Sequence, residues 1–181
     1  MKYFFFVIIS LSLSLFTFCS SKRVKPLVDT NIDVEELPSQ ESWNSTITFS
    51  DSGKIKAILW TGHLKKFEDK REVFMDQDVK VDFYDLNQQK TTTLTSKRAK
   101  VDEATNNLFA IDSVVAYNDS VTIKTEEMMW RNKDRKIVSD KFVTVISPKE
   151  KIQGYGFESD QNLRNYVIYN ITYVTRPDST K

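Results

Sequence analysis

From Trp43 onward, apolar and polar residues take turns along the chain, and a repeat of two is the signature of strands with one dry face and one wet face. Val79, Val81 and Phe83 alternate with Lys80, Asp82 and Tyr84, and Ile55, Ala57 and Leu59 alternate with Lys54, Lys56 and Ile58. Val121 and Ile123 alternate with Thr122 and Lys124, and Phe142, Thr144 and Ile146 with Val143 and Val145. β-Branched and aromatic residues, which suit a pleated surface, are dense in these runs. Between them stand Asp51-Ser52-Gly53, Asn87-Gln88-Gln89, Asn106-Asn107, Asn118-Asp119, Asn132-Lys133-Asp134, Pro148-Lys149 and Asp160-Gln161-Asn162. Asn and Asp tolerate left-handed backbone, so they serve as turn residues where Gly is scarce. Ile58–Lys70 and Ser96–Asn106 carry no sustained apolar stripe and are not read as helices. The pattern predicts an all-β, antiparallel domain built from consecutive hairpins. A faint repeat supports this: Thr95 before Ala99 and Val101 recurs as Thr125 before Met128 and Trp130, and Ala110–Val115 recurs as Val138–Val143.

The alternation assigns an inward set: Ile55, Ala57 and Leu59; Val79, Val81 and Phe83; Val101; Phe109 and Ile111; Met128 and Trp130; Phe142 and Ile146. Between Leu108 and Ile111 both faces are apolar, so periodicity alone does not choose between them. Such a set either fills a core or lines a greasy channel, and composition alone favours ordinary core packing. The means for catalysis are sparse. One His and one Cys rule out an intramolecular disulfide and a cysteine-cluster metal site. His63, in Thr-Gly-His-Leu-Lys-Lys, has no carboxylate or nucleophile at a telling spacing and reads as a surface or turn residue. Glu126 and Glu127 are adjacent, so on a strand they point to opposite faces. No nucleophile elbow, phosphate loop or paired-histidine pattern is present, and no enzyme activity, cofactor or metal is expected. A balance of 26 basic and 25 acidic residues offers no attraction to a polyanion, which argues against nucleic acid as a partner.

The start of the chain has a different character. Lys2 precedes an apolar run, Tyr3–Phe18, which ends at Cys19. The run is shorter than the ~20 residues of a membrane-spanning helix. Residues 1–18 are therefore read as a signal peptide or membrane anchor, with two fates for Cys19: lipidation, as in a bacterial lipoprotein leader, or a passive thiol in an uncleaved anchor. Phe18 departs from the small residue usual before a lipidated Cys. Residues 19–42 are polar and Pro-containing, the composition of a tether, and Lys22, Arg23 and Lys25 suit contact with anionic headgroups and ordinary linker solubility equally well. Residues 43–175 form the predicted domain and 176–181 a polar tail.

Between Thr122 and Asn170 the order of motifs is more specific than the composition. Lys124-Thr125-Glu126-Glu127-Met128-Met129-Trp130 is followed by Lys136-Ile137-Val138-Ser139-Asp140-Lys141-Phe142-Val143, then by Ile152-Gln153-Gly154-Tyr155-Gly156-Phe157-Glu158-Ser159-Asp160. This series of T-E-x-x-x-W, S-D-x-x-V and G-x-G-F-E-x-D resembles the LptC family, the periplasmic C component of lipopolysaccharide transport, over roughly residues 43–174. The resemblance implies an open β-jellyroll, an N-terminal membrane tether and no enzymatic activity. It also implies that lipopolysaccharide is accepted from an inner-membrane ABC transporter and passed to a periplasmic jellyroll bridge protein, with acyl chains inside the roll. Family members span the membrane with a helix, whereas this leader reads as lipidated; the place implied is the periplasmic side of the inner membrane. On this reading Ile55, Leu59, Val79, Val81, Phe83, Val101, Phe109, Ile111, Met128, Trp130 and Phe142 contact lipid. Tyr166, Ile168, Ile171 and Tyr173, in the last strand-like run, form an edge for a partner. Gly154 and Gly156 suggest a bulge or a close backbone approach, and Asp140 and Asp160 local turn bonding. The competing reading is a structural or adhesive β-sandwich lipoprotein with a closed core and no lipid cargo.

Overall fold

A computed structural model describes residues 37–176; the leader, Cys19, most of the expected tether and residues 177–181 lie outside the described residues. The described residues form ten strands: β1 (Gln40–Asp51), β2 (Lys54–Phe67), β3 (Glu72–Tyr84), β4 (Lys90–Ser96), β5 (Arg98–Asp102), β6 (Asn107–Tyr117), β7 (Thr122–Arg131), β8 (Lys136–Ile146), β9 (Lys151–Asp160) and β10 (Tyr166–Thr175). β1 begins inside the stretch expected to be tether. All join one antiparallel sheet in the order β1-β2-β3-β4-β6-β7-β8-β9-β10, with β5 taking over from β4 between β3 and β6. Consecutive strands pair because the connections are tight. At the first turn Ser52 and Gly53 are both left-handed (φ 52° and 77°), the geometry that lets a two-residue loop follow the twist of its strands.

A line of register breaks crosses the sheet. Pairing shifts between Thr61 and His63, Ile111 and Val114, Thr125 and Met129, and Ser139 and Phe142, and β4 gives way to β5 at Lys97. Gln77, Asp78, Asp112, Ser113 and Gly156, on the same line, have positive φ. Bulges bend strands and increase their twist, so a row of them creases the sheet. Hydroxyls next to the crease satisfy carbonyls released from the ladder. Thr61 Oγ1 lies 2.9 Å from the His63 and Asp76 carbonyls, Ser96 Oγ donates to Arg98 O at 2.8 Å, Thr125 Oγ1 to Phe142 O at 2.9 Å and Ser139 Oγ to Glu127 O at 2.7 Å. The counterpart of Thr125 is therefore Ser96, which reaches the carbonyl two residues ahead as Thr61 and Thr125 do, and not Thr95.

The creased sheet closes on its apolar face. The Trp130 ring of β7 lies 5.3 Å from Phe83 of β3 and 5.6 Å from Phe49 of β1, strands far apart in the sheet order. Burial of each large side chain here contributes about 1.5–3 kcal/mol. β1 pairs only with β2 and β10 only with β9 among the described residues, which leaves the roll open along one side. The architecture is an open antiparallel β-jellyroll.

Candidate functional site

The inner face is built strand by strand. β2 supplies Ala57 and Leu59, β3 Val79, Val81 and Phe83, β5 Val101, and β7 Ile123, Met128 and Trp130, all buried; Ile55, near the turn, is half-buried. The bulge at Glu126–Glu127 switches the inward phase of β7 from odd to even positions, so both Ile123 and Met128 face inward.

Four residues assigned inward face the other way. Phe109 and Ile111 are displaced by Leu108 and Ala110, and Phe142 and Ile146 by Val143 and Val145. Register decides this, because residues opposite one another on paired strands share a face. Leu108 pairs with Trp130 and Ala110 with Met128, so they go inside; Phe109 pairs with Met129 and goes outside. Val145 pairs with the buried Ile123, whereas Phe142 pairs with Tyr155; Phe142 is 40% exposed, as Ile146 is also exposed, and its ring packs edge-on against Tyr155 at 5.2 Å. Phe109 instead carries the Lys100 ammonium 5.4 Å from its ring centre and, with Ile111, Met129 and Val138, lines an outer concavity of about 400 Å³. Phe49 and Phe157 also join the interior; Phe157 stacks on Tyr166 at 6.0 Å.

The two glycines of the G-x-G segment act as expected. Gly156 is left-handed (φ 77°), and Gly154 lies where a Cβ would overlap the Asn170 carbonyl. Asp160 caps the β9–β10 loop: its carboxylate accepts from the N–H groups of Asn162 at 2.9 Å, Arg164 at 3.2 Å and Asn165 at 3.2 Å. Asp140 is exposed and pairs with Lys141 at 3.7 Å.

The edges differ from each other. In β10, Tyr166 and Ile168 pack against the core, but Ile171 and Tyr173 are 56% and 52% exposed, and from Tyr169 onward both faces of the strand are bare. At the β1 edge, His63 is neither a surface nor a turn residue. It is buried in β2, its Nε2 2.8 Å from Glu41 of β1 and its Nδ1 2.9 Å from Asp76 of β3, with Trp43 stacked on the ring at 5.3 Å. Strand pairing supplies these carboxylates from a distance in sequence that spacing could not reveal.

Donation to both carboxylates requires both ring protons. Glu41 first, and then Asp76, raise the His63 pKa above its usual value against the opposing effect of burial. Lys65 lies 3.8 Å from Glu41, and Arg98 feels the Asp76 charge. Because the folded pKa is the higher one, this link contributes fully below the unfolded value of about 6.5 and is lost as pH rises through the folded value. The melting temperature of the wild type should therefore fall relative to His63→Gln as pH is raised through that window. A difference independent of pH would show that the histidine does not join the strands as a cation.

No helix among the described residues is long and apolar enough to cross a membrane. A comparison with curated proteins finds no match. A family model described as lipopolysaccharide-assembly, LptC-related matches residues 5–174, nearly the whole chain, and fits the open roll and its motif-bearing strands β7–β9. This family takes part in lipopolysaccharide transport as a periplasmic component and is not an enzyme family. The chain belongs to the lipopolysaccharide-assembly, LptC-related family.

Proposed function

We propose that this protein is a membrane-tethered periplasmic carrier of lipopolysaccharide, taking it from an inner-membrane ABC transporter and passing it to a periplasmic jellyroll bridge protein. The observation that carries this reading is an apolar inner face in a roll whose two edges are both unpaired among the described residues, in a chain of this family. Acyl chains enter between the two halves of the sheet and the saccharide stays in water. The tether is anchored through a lipid on Cys19, at the periplasmic side of the inner membrane. The distal half of β10, bare on both faces, receives a strand of the bridge protein by edge addition, and its alternate side chains give the contact its specificity.

A structural or adhesive lipoprotein with a permanently closed core is the second reading, favoured by the complete burial of Leu59, Val81, Phe83 and Trp130. Photo-crosslinking separates the two. Crosslinkers at Val81, Phe83 and Trp130 should capture lipopolysaccharide in cells, while those at the outward Lys80 and Lys124 should not. Equal labelling of both faces, or none of the inner one, would leave the closed-core reading.

A further inference from the structure

The two halves of β1, the strand that bounds one side of the open roll, are held in different ways. Ile47 and Phe49, in its second half, pack against the core. Asn44, left-handed at a φ of 51°, separates them from Gln40–Trp43, which supplies no side chain to the core. Besides its backbone pairing with β2, this first half reaches its neighbours through the ring of His63. Glu41 Oε1 lies 2.8 Å from His63 Nε2, and the Trp43 ring, 61% exposed, stacks on the imidazole 20° from parallel. The other ring nitrogen, Nδ1, faces Asp76 of β3 at 2.9 Å.

Carboxylates on both ring nitrogens are served together only by the imidazolium, which has two N–H donors. A neutral imidazole has one, and its second nitrogen turns a lone pair toward a carboxylate, so one contact is given up. The two carboxylates are not equally free to leave. Asp76 belongs to β3, which is paired on both sides, to β2 and β5, and it feels the charge of Arg98. Glu41 belongs to a strand paired on one side only among the described residues, and Lys65, 3.8 Å away on β2, offers it another partner. Loss of the ring charge also removes the cationic attraction to the Trp43 face. We propose that Gln40–Trp43 is a latch, held against β2 by His63 as an imidazolium and released when the ring is neutral, so that the β1 side of the roll widens. The groups that face the ring and its partners are Glu41 and Trp43 from β1, Lys65 from β2, Asp76 from β3 and, through Asp76, Arg98 from β5. Both carboxylates raise the histidine pKa, so the latch is shut below its ordinary value and opens as pH rises through the folded one. The opening is local, because Ile47 and Phe49 keep the second half of β1 in place, and it does not depend on what the roll carries.

The test uses the purified full chain, whose single histidine gives imidazole resonances that report the titration directly. Amide hydrogen exchange, corrected for its intrinsic pH dependence, is followed in parallel. Protection of Gln40–Trp43 should fall about tenfold through the titration, the order of one lost hydrogen bond to a charged group. Protection of Ile47–Phe49 should hold level. Glu41→Gln places an amide opposite the ring that accepts from the imidazolium and donates to the neutral form, so its protection at Gln40–Trp43 should not change with pH. His63→Gln should likewise be insensitive to pH, and Glu41→Gln, at an exposed edge, carries the test should that variant fail to fold. If both halves of β1 lose protection together, the pH effect is one of global stability and the latch is overturned. It is equally overturned if Gln40–Trp43 stays protected after His63 has lost its proton, or if Glu41→Gln shows the same fall as the wild type.

Discussion

Gly154→Val is expected to detach β10 from the sheet. Gly154 sits in β9 opposite Ile171, and a Cβ there would overlap the Asn170 carbonyl oxygen and lie 2.8 Å from Ile168 Cγ2 and 2.9 Å from Ile171 Cα. Two of these three atoms are backbone, so the clash is relieved only by opening the ladder; the backbone at Gly154 is not left-handed, and the cost is one of space alone. A cost of at least about 2–4 kcal/mol follows from overpacking of this severity. In hydrogen exchange, amides of Tyr166–Thr175 should lose their protection while those of β2–β4 keep it. Binding to the bridge protein should be abolished with lipid capture largely retained, since the edge strand contributes few residues to the interior. Protection of β10 equal to that of the wild type would show that the close approach is not what makes Gly154 necessary.

A second large effect is expected in the interior. Phe83→Ala should destabilise the roll by about 3–5 kcal/mol, the transfer and cavity cost of a fully buried aromatic that cannot be refilled. Whole domains are commonly stable by only about 5–15 kcal/mol, so this is a large fraction of the total. Phe142→Ala, the same chemical change, should cost less, about 1 kcal/mol, because Phe142 is 40% exposed on the outer face and loses mainly its packing on Tyr155. Urea denaturation of the two variants checks the pair. Similar losses at both positions would contradict the placement of Phe142 on the outer face.

That contrast marks how far the sequence could be read. Where the two faces of a strand differ in polarity, as along Val79–Tyr84, alternation is enough to orient it, because burial of Lys80 would cost far more than burial of Val81 gains. Along β6 and β8 both faces are apolar, the two orientations are nearly equal in transfer energy, and the pairing register chooses. The turns rich in Asn, Asp and Gly were legible for the same local reason. The turn at Glu68–Arg71 was not, since its single Asp69 stands among charged residues and the left-handed position falls on Arg71, at a φ of 52°.

The sequence by itself determined the all-β class, the hairpin cadence, the bulge-forming glycines and, through the run from Thr125 to Asp160, the family. Those features are encoded in neighbouring residues, where period, turn chemistry and motif order act over short stretches of chain. Tertiary structure alone decided that Phe109, Ile111 and Phe142 face outward, that Ser96 and Thr125 play equivalent parts at the crease, and that His63 joins Glu41 to Asp76. Each of these depends on which residues of distant strands stand opposite one another. Bulges shift that register by single residues, and a shift of one turns every following side chain to the other face.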